Sequence, residues 1–176
     1  MQHFDVDDVI EYSDFFTEMD FAAINRELNN GLWAWGHKSD MKKTTQLCMW
    51  MQSLSKNKFF SEYLLNKIVT NTGQQFKFER VYANGQTFGM KGYPHEDSQN
   101  PKGRTFLYYP MTQWDPQWGG KTCFRFPTAK GWKYHFIVPE PNKAILFPGI
   151  ITHWAEETSR TFAGLRITVA WKLELP

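Results

Sequence analysis

Apolar residues in the first 75 positions recur at mixed helical spacing, every three or four residues along much of the segment. This spacing predicts helices at residues 7–26, 41–54 and 59–70. Asn29-Asn30-Gly31 and Gly73 stand where the first and third of these helices would end. We expect the helices to pack against a sheet; the alternative for this aromatic-rich layer is a surface for a partner.

From residue 76 onward, short alternating runs of apolar and polar residues lie between turns, as is typical of β-strands. The pattern predicts strands at residues 76–82, 105–109, 122–126, 134–138, 143–147 and 166–173. Turn sequences such as Pro148-Gly149 separate them. The fold expected is mainly β with N-terminal helices (α+β), built on a sandwich or jelly-roll core. We expect a single domain over residues 1–176, with a supporting helical part at 1–75 and the β core at 76–174.

Composition agrees with a packed sheet and limits the possible compartments. Apolar residues make up 41% of the chain and aromatic residues 17%. The two cysteines, Cys48 and Cys123, form no C-x-x-C pair, so neither a disulfide framework nor a zinc cluster is indicated. The N-terminal residues lack the basic and apolar regions of a signal peptide, and no apolar run approaches the roughly 18 residues of a membrane span. We therefore expect a cytoplasmic protein without a membrane partner.

The net charge of +2 is unevenly distributed. The first twenty residues contain seven Asp and Glu and no Lys or Arg, so 20 basic and 11 acidic residues remain, a net charge of +9. A solvated acidic helix face explains the first segment. The alternative is that the basic body favours an anionic substrate or partner. A nucleic-acid partner is not expected, because no recognition motif accompanies the positive charge.

Candidate chemistry begins at His95-Glu96-Asp97. On a strand, side chains alternate between faces, so His95 and Asp97 would point the same way, and a histidine from another strand could complete a site. Two His and one carboxylate are the ligands of non-haem Fe(II) oxygenases. His153 is the expected third ligand, with His135 as the alternative. His3 and His37 are expected at the surface.

The last predicted strand provides a cation for a carboxylate ligand. Arg166 could hold the carboxylate of a cosubstrate in a charge-assisted pair. Alternation places Arg166, Thr168, Ala170 and Lys172 on one face, so Thr168 could share that carboxylate. The polarity of this face also permits a solvent-facing strand. On the strand at 105–109, the same rule places Thr105 and Tyr109 on a common face.

The order and spacing of several segments carry a family resemblance. They are Val81-Tyr82-Ala83-Asn84-Gly85, His95-Glu96-Asp97, Arg104 to Tyr109, Trp118-Gly119-Gly120-Lys121-Thr122, Pro148-Gly149, His153 and Arg166 to Trp171. Over residues 76–174 the chain resembles the prolyl 4-hydroxylase-like branch of the Fe(II)/2-oxoglutarate-dependent dioxygenases. That resemblance implies a double-stranded β-helix core.

The resemblance also implies roles for individual residues. His95, Asp97 and His153 would bind the metal, and Arg166 would bind the distal carboxylate of 2-oxoglutarate. Tyr109 would hydrogen-bond the same cosubstrate. A second active-site tyrosine corresponds to Tyr82. Some branches of the family take the basic residue from an earlier strand, for which Lys102 and Arg104 are the alternatives here.

The implied reaction hydroxylates a substrate C–H bond with Fe(II), 2-oxoglutarate and O2, with ascorbate as a candidate reductant. Peptidyl proline, a sugar or a small molecule are the substrates considered. Trp114 and Trp118 could stack on a substrate ring or could close the end of the sandwich. Two other functions remain open: a non-catalytic jelly-roll module that binds peptide or sugar, and a cupin-like enzyme with another metal and no 2-oxoglutarate.

Overall fold

In the computed structural model, residues 4–38 and 48–176 are described, and they form two antiparallel sheets with two α-helices. The strands in these ranges are β1 (Ile10–Tyr12), β2 (Ala34–His37), β3 (Met49–Ser53), β4 (Lys77–Gln86), β5 (Gly103–Tyr109), β6 (Thr122–Thr128), β7 (Gly131–Ile137), β8 (Lys143–Pro148), β9 (His153–Ala155) and β10 (Arg166–Glu174). The helices are α1 (Glu18–Asn30) and α2 (Leu65–Thr72), and α2 continues a π-helical segment at Phe59–Leu64. Short 3-10 turns lie at Val6–Asp8 and Pro116–Trp118.

The larger sheet has the order β1-β8-β5-β10-β4-β3-β2, and the smaller sheet has the order β7-β6-β9. Neighbouring strands pair in antiparallel fashion in both sheets. All six strands predicted from alternation are confirmed, and several extend a few residues further, most of all β4. The mainly β character of the chain is therefore confirmed.

Two apolar cores lie on the two faces of the larger sheet. The core on the helical side joins α1 and the Phe59–Thr72 helix to β4, β5 and β10, with Ile24, Leu28, Phe60, Leu64, Ile68, Val169 and Trp171 among its members. The core between the sheets includes Leu107, Tyr109, Phe124, Ile145 and Phe147. The Trp171 indole N–H donates to the Phe60 carbonyl oxygen at 3.0 Å, which ties the helical layer to β10. Helix packing against a sheet is thus confirmed.

The first predicted helix was wrong over its N-terminal half. α1 begins only at Glu18, where the Thr17 hydroxyl accepts a hydrogen bond from the Asp20 N–H at 3.2 Å and caps the helix. Ile10–Tyr12 instead forms an edge strand paired with β8. The predicted stop at Asn29-Asn30-Gly31 is confirmed, because α1 ends at Asn30.

The second predicted helix, at 41–54, was wrong where it can be compared. Met49–Ser53 is strand β3, paired with β4, and residues 41–47 lie outside the described residues. The third prediction is confirmed, and Gly73 ends that helix in the left-handed region at φ 67°. The segment expected to be a helical support therefore also contains β1, β2 and β3. None of the described helices is long and apolar enough to cross a membrane.

Candidate metal centre and cosubstrate cavity

Three side chains expected to bind metal converge in a cavity beside strands β5, β9 and β10. His95, Asp97 and His153 each offer a ligand atom, and these atoms all lie within 4.8 Å of one another. His95 Nε2 is 3.5 Å from Asp97 Oδ1, and His153 Nε2 is 3.3 Å from Asp97 Oδ2. Donors bound at about 2.1 Å and at right angles around one ion lie about 3 Å apart, so this spacing fits a first-row metal.

Both imidazole rings are oriented for metal binding by main-chain carbonyls. His95 Nδ1 donates to the Tyr93 carbonyl oxygen at 2.8 Å, and His153 Nδ1 donates to the Ile151 carbonyl oxygen at 2.9 Å. A carbonyl oxygen can only accept, so Nδ1 carries the proton and the Nε2 lone pair is free for a ligand bond. Burial lowers the pKa of His153, which favours the neutral ring that a metal requires.

Asp97 is held by groups that fix its carboxylate as an anion. The Thr105 hydroxyl donates to Asp97 Oδ2 at 2.6 Å, and Lys172 Nζ forms a buried ion pair with the same oxygen. Burial alone would raise the pKa of Asp97, but Lys172 and His153 outweigh it and hold the pKa well below its usual range. The main chain is fixed as well, because the Asp97 N–H donates to the Gly149 carbonyl oxygen at 2.7 Å.

The predicted alternation of β10 is confirmed, and the solvent-facing interpretation is wrong. Arg166, Thr168, Ala170 and Lys172 line a cavity of about 380 Å³ that also contains the three candidate ligands. The opposite side chains of β10, such as Val169 and Trp171, enter the helical core. Pockets of a few hundred Å³ hold small ligands, and this one has room for a dicarboxylate.

Arg166 is a buried cation without a carboxylate partner. Its side chain is 1% exposed, and none of the described Asp or Glu residues lies within ion-pair distance. Arg166 Nε donates to the Gly120 carbonyl oxygen at 2.6 Å, and the remaining nitrogens donate to Gln86 Oε1 at 2.8 Å and Thr122 Oγ1 at 3.3 Å. A buried charge is costly when it is unpaired, so this guanidinium is suited to an anionic ligand.

Unsatisfied polar atoms surround the same part of the cavity. Gln86 Nε2 and Asn84 Oδ1 are buried and have no hydrogen-bond partner, and both residues line the cavity. Such groups normally cost stability unless a ligand or water pairs with them. Together with Arg166, the free amide donor of Gln86 fits the terminal carboxylate of a cosubstrate such as 2-oxoglutarate.

The two candidate tyrosines occupy different positions. Tyr82 lines the cavity, with its ring 5.7 Å from Lys172 Nζ. Tyr109 is buried behind the cavity wall and donates to Thr122 Oγ1 at 2.7 Å. Thr122 itself lines the cavity and accepts from both Tyr109 and Arg166, which leaves its own O–H as a donor. The predicted contact of Tyr109 with the cosubstrate stays a prediction, and Thr122 is the nearer donor.

Gly120 allows Arg166 to reach this position. Its backbone has φ +67°, and a Cβ there would lie 3.0 Å from Arg166 Cδ. Only glycine combines that conformation with so close an approach. Gly120 therefore supports the end of the cavity that contains Arg166.

The residues considered as alternative metal or cosubstrate ligands lie outside the cavity. His135 is 3.5 Å from Glu11 and is not part of the three-residue convergence. Lys102 Nζ donates to the Pro176 carbonyl oxygen, and Arg104 donates to the Pro101 carbonyl oxygen, so neither lines the cavity. His37 was expected at the surface but lines the cavity from β2; His3 lies outside the described residues.

Trp114 and Trp118 form a cluster with Phe162. The ring centroids of Trp114 and Trp118 are 5.4 Å apart, and Phe162 lies 4.9 and 5.1 Å from them. Neither tryptophan lines the cavity. This packing agrees with closure of the end of the sandwich rather than with a stacking surface for a substrate at the metal.

Three cavity residues had no role in the interpretation of the sequence. Lys172 was placed on the correct face by alternation, but its ion pair with Asp97 was not expected. Gln86 lies beyond the predicted end of its strand, and Thr122 was expected only as the first residue of a strand after Gly119-Gly120. The sequence pattern could have predicted that Gln86 faces the cavity, because Tyr82, Asn84 and Gln86 stand at alternate positions of one strand.

Comparison with known proteins identifies the fold. No protein-family model matches the chain, and no curated protein matches it. Among solved structures, a prolyl hydroxylase from Trichoplax adhaerens, in complex with a peptide fragment of the hypoxia inducible factor oxygen degradation domain, matches with a TM-score of 0.74 and 14% identity. The match covers 96% of this chain and 84% of that one.

Two further structures extend the comparison. An oxidoreductase of the 2OG-Fe(II) oxygenase family from Burkholderia pseudomallei matches with a TM-score of 0.73 and 13% identity, over 96% of this chain and 86% of that one. HygX from Streptomyces hygroscopicus, with nickel, 2-oxoglutarate and hygromycin B bound, matches with a TM-score of 0.67 and 10% identity, over 96% and 83%. The chain therefore has the fold of the 2-oxoglutarate- and iron-dependent oxygenases.

Proposed function

We propose that this protein is an Fe(II)- and 2-oxoglutarate-dependent dioxygenase that hydroxylates a C–H bond of its substrate. His95, Asp97 and His153 would bind Fe(II), and Arg166 would bind the distal carboxylate of 2-oxoglutarate. With these groups and O2, the reaction converts 2-oxoglutarate to succinate and CO2 and yields a hydroxylated product; ascorbate is the candidate reductant. Fold likeness at this level of identity does not determine activity, so the proposal depends on the site.

The observation that carries the proposal is the buried, unpaired guanidinium of Arg166 in the same cavity as two His and one Asp. A non-catalytic binding module or a metal enzyme without 2-oxoglutarate would need no buried cation at this position. A structural arginine is normally paired with a carboxylate when it is buried. The free Gln86 amide beside it has the same explanation, because a carboxylate has enough acceptor sites for both residues.

The other cavity residues position and orient the ligands. Main-chain carbonyls orient the two imidazoles, and Lys172 and Thr105 hold Asp97 Oδ2. We propose that Thr122 and Thr168 add hydroxyl donors near the cosubstrate and that Tyr109 supports Thr122 from behind. Tyr82 lies on the wall toward Lys172, and its expected role as a second active-site tyrosine that helps to bind the cosubstrate stays a prediction.

A prolyl residue in a peptide is the substrate that we propose to test first. The support is that one matched structure is a prolyl hydroxylase in complex with a peptide. HygX, with hygromycin B bound, has the same fold, so a small molecule or sugar remains the alternative class. We continue to expect a cytoplasmic protein.

Calorimetric titration of 2-oxoglutarate tests the proposal without knowledge of the substrate. The protein is loaded with Zn(II), which can occupy the site without oxidation, and Arg166→Gln is compared with Arg160→Gln, an exposed arginine outside the cavity. We expect wild type and Arg160→Gln to bind 2-oxoglutarate alike. Arg166→Gln should bind about a hundredfold more weakly, because a charge-assisted pair of about 2–3 kcal/mol is lost. Equal affinity in all three proteins would refute the assignment of Arg166.

A further inference from the structure

Two cations face each other directly on the inner side of the larger sheet. In the register of β4 and β10, Arg80 pairs with Lys172. Like charges at directly opposed positions destabilise a sheet, and the ion pair of Lys172 with Asp97 offsets only part of this repulsion. Both also approach the ring of Tyr82, with Arg80 Cζ 5.9 Å and Lys172 Nζ 5.7 Å from its centroid. Among the described residues, no carboxylate forms an ion pair with Arg80.

The cavity as a whole keeps excess positive charge after it is loaded. Its lining contains four Lys and Arg and two acidic residues: Lys38, Arg80, Arg166 and Lys172 against Glu96 and Asp97. Fe(II) and the 2-oxoglutarate dianion carry opposite charges of equal size, so their binding leaves this excess unchanged. Burial lowers the pKa of His37 on the same wall, and the positive charges of Lys172 and Arg80 lower it further.

These cations are separate from the proposed cosubstrate site. Arg166 pairs with Gln86 at one end of the β4–β10 ladder, and Lys172 pairs with Arg80 six residues further along β10. Six residues of extended chain span about 20 Å, so Arg80 and Arg166 begin from backbone positions far apart. One small dicarboxylate does not supply the anion for both ends.

We propose that Arg80 and Lys172, which both approach the ring of Tyr82, bind a carboxylate or phosphate group of the substrate. The proposal rests on the proposed function, because it names the chemical class of the substrate that this same cavity accepts. An anion there would pair with Arg80, which has no ion pair among the described residues, and would offset its repulsion with Lys172. Arginine is suited to the task, since its planar fork matches both carboxylate and phosphate oxygens.

Two small anions test the subsite and distinguish the two kinds of group. Methyl phosphate and acetate are titrated calorimetrically into protein loaded anaerobically with Fe(II) and saturating 2-oxoglutarate. The variant is Arg80→Gln, and the matched control is Lys77→Gln, which removes the same charge from an exposed position of β4 outside the cavity. We expect Arg80→Gln to weaken binding about tenfold or more, while Lys77→Gln binds as wild type does. Tighter binding of methyl phosphate would indicate a phosphorylated substrate, and tighter binding of acetate a carboxylate.

The visible charge-transfer band of the Fe(II)–2-oxoglutarate complex is recorded in the same samples and separates the two proposals. A band without anion binding to wild type would refute the anion subsite and leave the proposed function intact. Equal losses in Arg80→Gln and Lys77→Gln, or bleaching of the band by the anions, would also refute the subsite. If wild type gives no band, the proposed function fails, and titration of the metal-free protein with its two variants then decides the anion subsite alone.

Discussion

His95 and His153 face each other across an isolated antiparallel bridge, in which each N–H donates to the other residue's carbonyl oxygen, at 3.0 and 2.9 Å. The spacing of the two imidazoles is therefore set by the main chain. The side chains contribute little to this bridge, so they can be changed without loss of the bridge itself. The effect of a histidine substitution on metal binding can therefore be measured separately from its effect on folding.

Replacement of a ligand should remove the metal and leave the fold. We expect His153→Ala to weaken metal binding by at least about a hundredfold, because loss of an outer hydrogen-bond partner alone commonly costs 10- to 100-fold. Its far-ultraviolet circular dichroism should match that of wild type. His135→Ala is the control, since His135 lies outside the convergence. Metal affinity can be measured by competition with a chromogenic chelator, and similar affinities in both variants would contradict the ligand assignment.

Lys172 should stabilise the fold more when the metal is absent than when the metal is bound. Lys172→Met leaves the buried Asp97 carboxylate without its cation, which we expect to cost about 3 kcal/mol of unfolding free energy. Saturating Zn(II) should recover more stability in this variant than in wild type, because the metal replaces the missing charge. Urea unfolding with and without Zn(II) measures both effects. Lys143→Met, which removes a lysine paired with Glu11 and Glu140, should show the wild-type response to metal; an identical response in Lys172→Met would argue against this role.

Thr122 should matter more than Tyr109 for cosubstrate binding. Burial raises the pKa of Tyr109 to about 12, so its hydroxyl remains a donor to Thr122 at neutral pH. We expect Thr122→Val to weaken 2-oxoglutarate binding about tenfold, because a cavity donor and a partner of Arg166 are both lost. Tyr109→Phe should have a smaller effect. Calorimetry on the Zn(II)-loaded proteins gives the order, and a larger loss in Tyr109→Phe would restore the direct contact expected from the sequence.

Gly120→Ala should disturb the cosubstrate end of the cavity through the backbone. Its φ of +67° is unfavourable for alanine, and the new Cβ would press on Arg166 Cδ. We expect a loss of about 1–2 kcal/mol of unfolding free energy and weaker 2-oxoglutarate binding, with metal affinity unchanged. Gly131→Ala is the control for strain alone, because Gly131 has φ +127° and nothing within 4 Å of its Cβ position. Equal 2-oxoglutarate affinity in both variants would show that Gly120 does not position Arg166.

Alternation predicted the β core well because the two faces of its strands differ in chemistry: on β10 one face enters the apolar helical core and the other lines the cavity. The inner face of β10 follows directly from the spacing of Arg166, Thr168, Ala170 and Lys172. The strands β1 and β3 were missed because they are short and their pairing partners β8 and β4 are distant in sequence. Trp50, Met51 and Leu54 happen to have helical spacing, and pairing with β4 overrides it.

The sequence predicted the residue types of the site better than their pairings. His95, Asp97 and His153 were expected together, but the triplet lies outside the strands and is joined to His153 by a single bridge. The ion pair between Lys172 and Asp97 depends on the register that places Lys172 beside Thr105. No local pattern contains that register. For the same reason, the sequence does not predict that Arg80 lies opposite Lys172 in the sheet.

The central claim is that Fe(II) and 2-oxoglutarate bind together in this cavity, and the most direct measurement is their visible metal-to-ligand charge-transfer band under anaerobic conditions. We expect the band to appear when both are added to the metal-free protein and to be absent in His153→Ala, with the band of His135→Ala equal to that of wild type. A folded wild-type protein without the band would contradict the dioxygenase proposal and favour a non-catalytic binding module or a different metal.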